Sequence, residues 1–201
     1  LVHEGDRVDT GSPIALVGET MTEALSIMVR GESGIIAVHP DDERPILRGG
    51  NRLVWPNGVE ASIMTASDPE RFRGPQFAAA WCDEAGKWPR AEEAFDQLQF
   101  GLRLGDRPRQ LVTTTPRPTR LIKRLLADPQ TVTVRITTEE NKAQLAPTFL
   151  DAVVARYRGT VLGRQELEGE LIEDRPDALW QRGIFREGGV IDGRIVVAVD
   201  P

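Results

Sequence analysis

Cysteine and histidine are almost absent: the 201 residues contain one cysteine, Cys82, and two histidines, His3 and His39. A lone cysteine excludes an intramolecular disulfide and any multi-cysteine zinc site, and two imidazoles leave little room for histidine-based catalysis. Long apolar runs are missing too. No stretch approaches the roughly 18 consecutive apolar residues of a membrane-spanning helix, and the opening LVHEGDRVDTG is charged where a signal peptide would be apolar. An intracellular chain without membrane contact is expected. No large excess of one charge exists either: 25 Lys and Arg stand against 31 Asp and Glu, a net charge of -6. That balance argues against a molecule coated in positive charge, but it says little about a local basic groove. The phosphate-binding pattern GxxxxGK(S/T) is also lacking. Gly86-Lys87-Trp88 has neither the loop nor the hydroxyl, so any nucleotide phosphate would need a cradle from elsewhere.

What is present describes a globular chain with a real core, 40% hydrophobic and 28% charged, of about one to one and a third domains on the usual length scale. The first residue is Leu1, and the last two, Asp200-Pro201, follow the apolar run Ile195 to Val199. A domain rarely stops at the tip of a buried strand, so a piece of a longer polypeptide is expected.

Periodicity divides the chain. Ile14 to Val17 is a short apolar run of buried-strand type, and Thr20 with Glu23 three residues on is a capping-box pattern opening a helix to about Arg30, which Gly31 ends. Gly49-Gly50 and Asn57-Gly58 punctuate short extended segments between Arg44 and Ala66. Asn-Gly is a strong signal for a two-residue hairpin, so an antiparallel insert is expected. Alternation then returns: strand Phe77–Cys82, helix 91–104, strand Gln110–Thr115 and a helix from Pro118, which suits a first helical turn, to Ala127. This order predicts a mainly parallel α/β sheet. A further strand is predicted at Thr131–Ile136, then helices at Pro147–Tyr157 and 161–172, the second with Glu166, Glu168 and Glu170 on a solvated face.

The strongest chemical feature is Phe77-Ala78-Ala79-Ala80-Trp81-Cys82-Asp83-Glu84, an apolar strand that delivers two adjacent carboxylates to the carboxyl edge of the sheet. Open α/β sheets bind ligands at that edge. Nucleotide hydrolysis needs one acid to hold Mg²⁺ and another to orient and deprotonate water, and Asp83 and Glu84 fit those roles. The same dipeptide also describes a polar strand end before the Ala85-Gly86 turn. The next strand ends in Thr113-Thr114-Thr115, three hydroxyls that could sense a γ-phosphate or bond the acid, though threonines also favour strands and caps. Arg73, in the turn-forming segment Arg71-Phe72-Arg73-Gly74-Pro75, could stabilise transition-state charge or merely meet solvent and surface acids.

Taken in order, ALVGET, RLVWPNG, DPERFRGPQFAAAWCDE, QFGLRLGDRPRQLVTTTPRP, LGRQELEGEL and IVVAVDP resemble the large terminase subunit of tailed phages and gene transfer agents, over about Ile14 to Pro201. The resemblance implies a partial P-loop ATPase core with a mainly parallel sheet, an antiparallel hairpin insert and a small helical lid, followed by the first strand of an RNase H-like domain. It implies an ATPase core over 1–137 whose P-loop lies upstream, a lid over 138–175, a linker over 176–194 and the start of the nuclease over 195–201. Asp83 would be the Walker B acid that holds Mg²⁺ with ATP through water, Glu84 the catalytic glutamate, and Thr113 to Thr115 the coupling motif. Arg73 would reach the nucleotide of a neighbouring copy in a ring. Asp200 would be the first acid of a nuclease using two divalent metals, Mg²⁺ or Mn²⁺, whose other ligands lie downstream, so the fragment alone would be inactive.

The implied function is an ATP-driven motor that moves double-stranded DNA into a viral prohead, in the host cytoplasm, with a small terminase subunit and a portal protein as partners. Another P-loop motor of helicase type, or a truncated remnant with only a structural or binding role, is the alternative. Arg103 to Arg135 carries eight basic residues against Asp106 and Asp128, either a DNA contact or a solvated helix face.

Overall fold

The computed structural model describes residues 13–172. The linker expected over 176–194, the strand expected over 195–201 and Asp200 lie outside the described residues. Six strands form one sheet in the order β2-β3-β4-β1-β5-β6: β1 (Ile14–Gly18), β2 (Ile46–Arg48), β3 (Arg52–Val54), β4 (Glu60–Thr65), β5 (Ala79–Asp83) and β6 (Arg109–Thr113). β4, β1, β5 and β6 are parallel neighbours, whereas β2 and β3 run antiparallel. The mainly parallel sheet with an antiparallel pair agrees with the expectation.

Strand alternation builds two cores, one on each face. Ala15 and Val17 of β1 join Ala80 and Cys82 of β5 under Phe72, Phe77, Phe95, Leu98 and Leu121. Leu16 points to the other face, with Leu53, Ala61, Ile63, Ala24, Met28 and Val29. Parallel strands covered on both faces read as continuous apolar runs, and ALV in β1 does so.

The helices follow their caps. Thr20 accepts the Glu23 N–H at 3.2 Å and opens α1 (Met21–Glu23), which runs on as a π-helix over Ala24–Val29. The expected reciprocal capping bond gives way to another use, because the Glu23 carboxylate turns to Lys87. Residues Ile35–Val38 form α2. α3 (Ala91–Gly101) buries Ala94, Phe95, Leu98 and Gly101. Thr119, not Pro118, opens α4 (Arg120–Ala127): its hydroxyl accepts the Ile122 N–H, and Pro118 stands one residue before the cap.

Several local expectations fail. Asn57-Gly58 is not a two-residue hairpin, since only Gly58 has positive φ, 86°; the Asn57 side chain instead accepts the Val59 N–H at 3.1 Å and shapes a longer loop. The second arm of that hairpin, β4, is a core strand beside β1 rather than part of an insert. Thr131 to Ile136 forms no strand, and Val132, Val134 and Ile136 are exposed. Beyond it lie short helices, α5 (Pro147–Phe149), a π-helix over Leu150–Val154, α6 (Ala155–Tyr157) and α7 (Val161–Glu166). Glu168 and Glu170 fall outside α7, and Glu170 instead meets Arg135 and Arg164. Among the described residues no helix is long and apolar enough to cross a membrane.

Candidate active site

Asp83 is the last residue of β5 and sits opposite Thr113 of β6. The Thr113 hydroxyl donates to Asp83 Oδ1 at 2.7 Å and accepts the Trp81 indole N–H at 3.0 Å. One carboxylate oxygen is thereby fixed from the neighbouring strand. Glu84 follows at φ 51° and ψ 40°, the only described non-glycine residue with positive φ. A residue with a Cβ spends about 1–2 kcal/mol there, and strain of this kind gathers at functional sites.

The turn after Glu84 is held from several sides. Ala85 is fully buried, and the Gly86 N–H donates to Thr114 Oγ1 at 3.0 Å. A Cβ on Gly86 would stand 2.6 Å from that oxygen and would push the Thr114 hydroxyl out of this bond. The buried Trp88 donates its indole N–H to the Asp83 carbonyl at 2.9 Å. Thr114 donates in turn to the Thr115 carbonyl at 2.9 Å. Thr113 thus bonds Asp83, Thr114 supports the turn beneath Glu84, and Thr115 lies beyond the end of β6.

Sequence reasoning missed Lys87. Its ammonium lies 2.9 Å from Glu23 Oε1 and 3.4 Å from Glu19 Oε2. The Glu23 hydrogen bond raises the lysine pKa above its ordinary value; burial opposes this and Glu19 adds to it. Glu23 Oε2 is buried without a partner. These groups share a narrow cleft with Gly18, Ala24, Ile27, Asp83 and Glu84. The only available signals were Gly86-Lys87-Trp88, which drew attention for what it lacks, and Glu23, which matched a capping box.

Arg73 is not brought to the acids. It pairs with Glu70 at 3.2 Å and lines an open cleft of about 270 Å³ with Phe72, Gln97, Phe100, Gly101 and Arg103. Gly101 accepts the Phe77 N–H at 2.8 Å, so this cleft adjoins the amino end of β5, while Asp83 and Glu84 close its carboxyl end. The basic stretch is dispersed as well. Arg103 lines that cleft, Arg124 pairs with Asp96 at 2.7 Å and stacks over Phe95, and Arg135 pairs with Glu170 at 3.7 Å. Among the described residues no group of three or more His, Cys, Asp or Glu side chains is set to hold a metal. Cys82 is fully buried in β5, and burial pushes its thiol up to about 12.

An acidic pair at the carboxyl end of a central parallel strand fits many nucleotide-binding sheets, so comparison decides the family. The family of the terminase large subunit, T4likevirus-type, N-terminal region, matches residues 5–187. The chain belongs to that large-terminase family. The match ends before Asp200. No curated protein matches this terminase chain. Among solved structures, it resembles the large terminase of the thermophilic bacteriophage D6E in complex with ATP-gamma-S, at TM-score 0.63 and 13% identity over 81% of this chain and 40% of that one. The same phage protein with ADP matches at TM-score 0.62 and 15% identity, covering 81% and 41% of the two chains. The large-terminase ATPase domain of Thermus phage P74-26 matches at TM-score 0.55 and 16% identity, covering 81% and 77%. The present terminase chain therefore spans about two fifths of the D6E protein, and at such identities the likeness is one of fold.

Proposed function

We propose that this chain is the ATPase portion of a DNA-packaging motor, a large terminase subunit that hydrolyses ATP to move double-stranded DNA into a viral prohead. The observation that carries the reading is Glu84, held in a strained left-handed conformation directly after Asp83, at the end of β5. A general base works from a fixed position, and the clamped turn supplies one. Family membership favours this reading over a helicase-like motor.

Glu84 takes the proton of the attacking water. Asp83, oriented by Thr113, would hold Mg²⁺ through water. A Mg²⁺ ion keeps several of its waters and takes only one or two carboxylates beside the nucleotide phosphates, so the single carboxylate of Asp83 fits it. When bound, the ion neutralises charge on the phosphates. Thr113 to Thr115 link the Asp83 strand end to the turn beneath Glu84, a route by which hydrolysis reaches the next element. Arg73 acts on the nucleotide of a neighbouring copy in a ring, and the basic residues from Arg103 to Arg135 contribute to the DNA path. The full-length protein adds the upstream P-loop and, from Asp200 onward, a nuclease with two divalent metals. It works in the host cytoplasm, docked on the prohead through the portal, with a small terminase subunit as partner. The segment over 138–175 serves as its lid, with the short helices between Pro147 and Glu166 inside it.

In the full-length protein, Glu84→Gln is expected to lower ATP turnover by about 10²–10⁴-fold, the usual contribution of a general base, while nucleotide binding persists. Turnover close to that of the unaltered protein would sink the assignment.

A further inference from the structure

We propose that Lys87 is a positioning residue for Glu84: by pairing with Glu19 and Glu23 it clamps the turn carrying the acid onto the turn that ends β1. The proposal rests on the reading of Glu84 given above. Left to itself, a residue at φ 51° relaxes toward the right-handed region, which is lower in energy by about 1–2 kcal/mol. Something must hold the turn. Gly86 against Thr114 holds it from β6, and the Trp88 indole holds the Asp83 carbonyl. Neither ties it to β1, the strand on the other side of β5. Lys87 does. Its backbone N–H donates to the Glu84 carbonyl at 3.0 Å, and its ammonium reaches across to Glu23 at 2.9 Å and Glu19 at 3.4 Å.

Both anchors are fixed. The Glu19 carbonyl accepts the Thr65 hydroxyl at 2.6 Å and the Ser67 N–H at 3.3 Å, so it is bound to the end of β4. Glu23 is held by the Thr20 cap. The three side chains are 27%, 28% and 36% exposed, so solvent and salt screen them less than a freely exposed pair. Two carboxylates occupy the ammonium, which leaves it a tether between turns rather than a free cation in the cleft.

The test compares Lys87→Met, Lys87→Arg and the triple variant E19Q/E23Q/K87M in the full-length protein, each checked for an unchanged melting temperature. Lys87→Met is expected to lower kcat by about 10- to 100-fold, the scale of a small misplacement of a reacting group, with KM for ATP unchanged. Hydrogen exchange at residues 85–88 should accelerate while β1 and β6 stay protected, a local effect that a general loss of stability would not produce. Lys87→Arg should restore most of the turnover. The triple variant removes the tether without stranding a carboxylate, and should remain as slow as Lys87→Met. Recovery of turnover in the triple variant, or a raised KM with unchanged kcat in Lys87→Met, overturns the proposal. Retained turnover in Glu84→Gln overturns the reading beneath it, and is told apart because it involves no change at Lys87.

Discussion

Asp83 and Glu84 are neighbours in sequence with opposite surroundings. Asp83 is paired into a strand and bonded by Thr113, whereas Glu84 is bent into a conformation that disfavours it. One acid is held through its side chain, the other through its backbone. Cys82, directly before them, shows the reverse logic. It is fully buried, its Sγ accepts the Gln110 side-chain N–H at 3.3 Å, and burial, with Asp83 adding, holds its thiol at about 12. The unfolded thiol titrates near 8.5. Its contribution to stability is therefore complete below about pH 8.5 and is lost as pH rises from there toward 12. At pH 8, a thiol-specific chromogenic reagent should react with the folded protein only at the rate of unfolding, and at once after denaturation. Rapid reaction without denaturant would contradict the burial of Cys82.

At the scale of elements, caps and alternation decide most of what forms. Thr119 opens α4, whose Leu121 and Ile122 are buried. Thr119→Ala should cost about 1 kcal/mol, as loss of a cap usually does, measured by chemical denaturation; an unchanged midpoint would mean that packing alone holds α4. Strands β1, β5 and β6 and helices α3 and α4 were legible because their apolar periods are strong. Thr131 to Ile136 carries an equally strong β pattern and forms no ladder, because pairing depends on a neighbour that the segment's own sequence does not encode. Asn57 missed for a local reason: its side chain bonded Val59 and replaced the turn that Asn-Gly favours. At the site, adjacency made the acids visible. Lys87 and Glu23 are 64 positions apart, and no period or spacing joins them.

Across the whole molecule, the two clefts lie at opposite ends of β5. Arg73 lines the cleft at the amino end and pairs with Glu70, while the acids stand at the carboxyl end; the role proposed for Arg73 is service to a neighbouring copy. Mixing full-length Arg73→Ala with Glu84→Gln subunits should therefore give more turnover than either preparation alone, since an intact Arg73 from one can serve an intact Glu84 in the other. No gain at any mixing ratio would count against the trans role.

The two margins of the sheet differ in a way that matters for handling the protein. β2 is three residues long, follows a buried proline, Pro45, and carries Arg48, features that discourage a foreign strand. β6, the last strand among the described residues, is five residues long and carries Arg109 as well as Leu111, and since Ile46 of β2 is also exposed, length and the proline are what separate the two margins. Among the described residues no strand pairs with the outer edge of β6, and five residues are a longer template for further chain than three. Preparations of this segment by itself should therefore cloud through strand-to-strand association at β6 rather than at β2, and a charged replacement there is the first remedy for poor solubility.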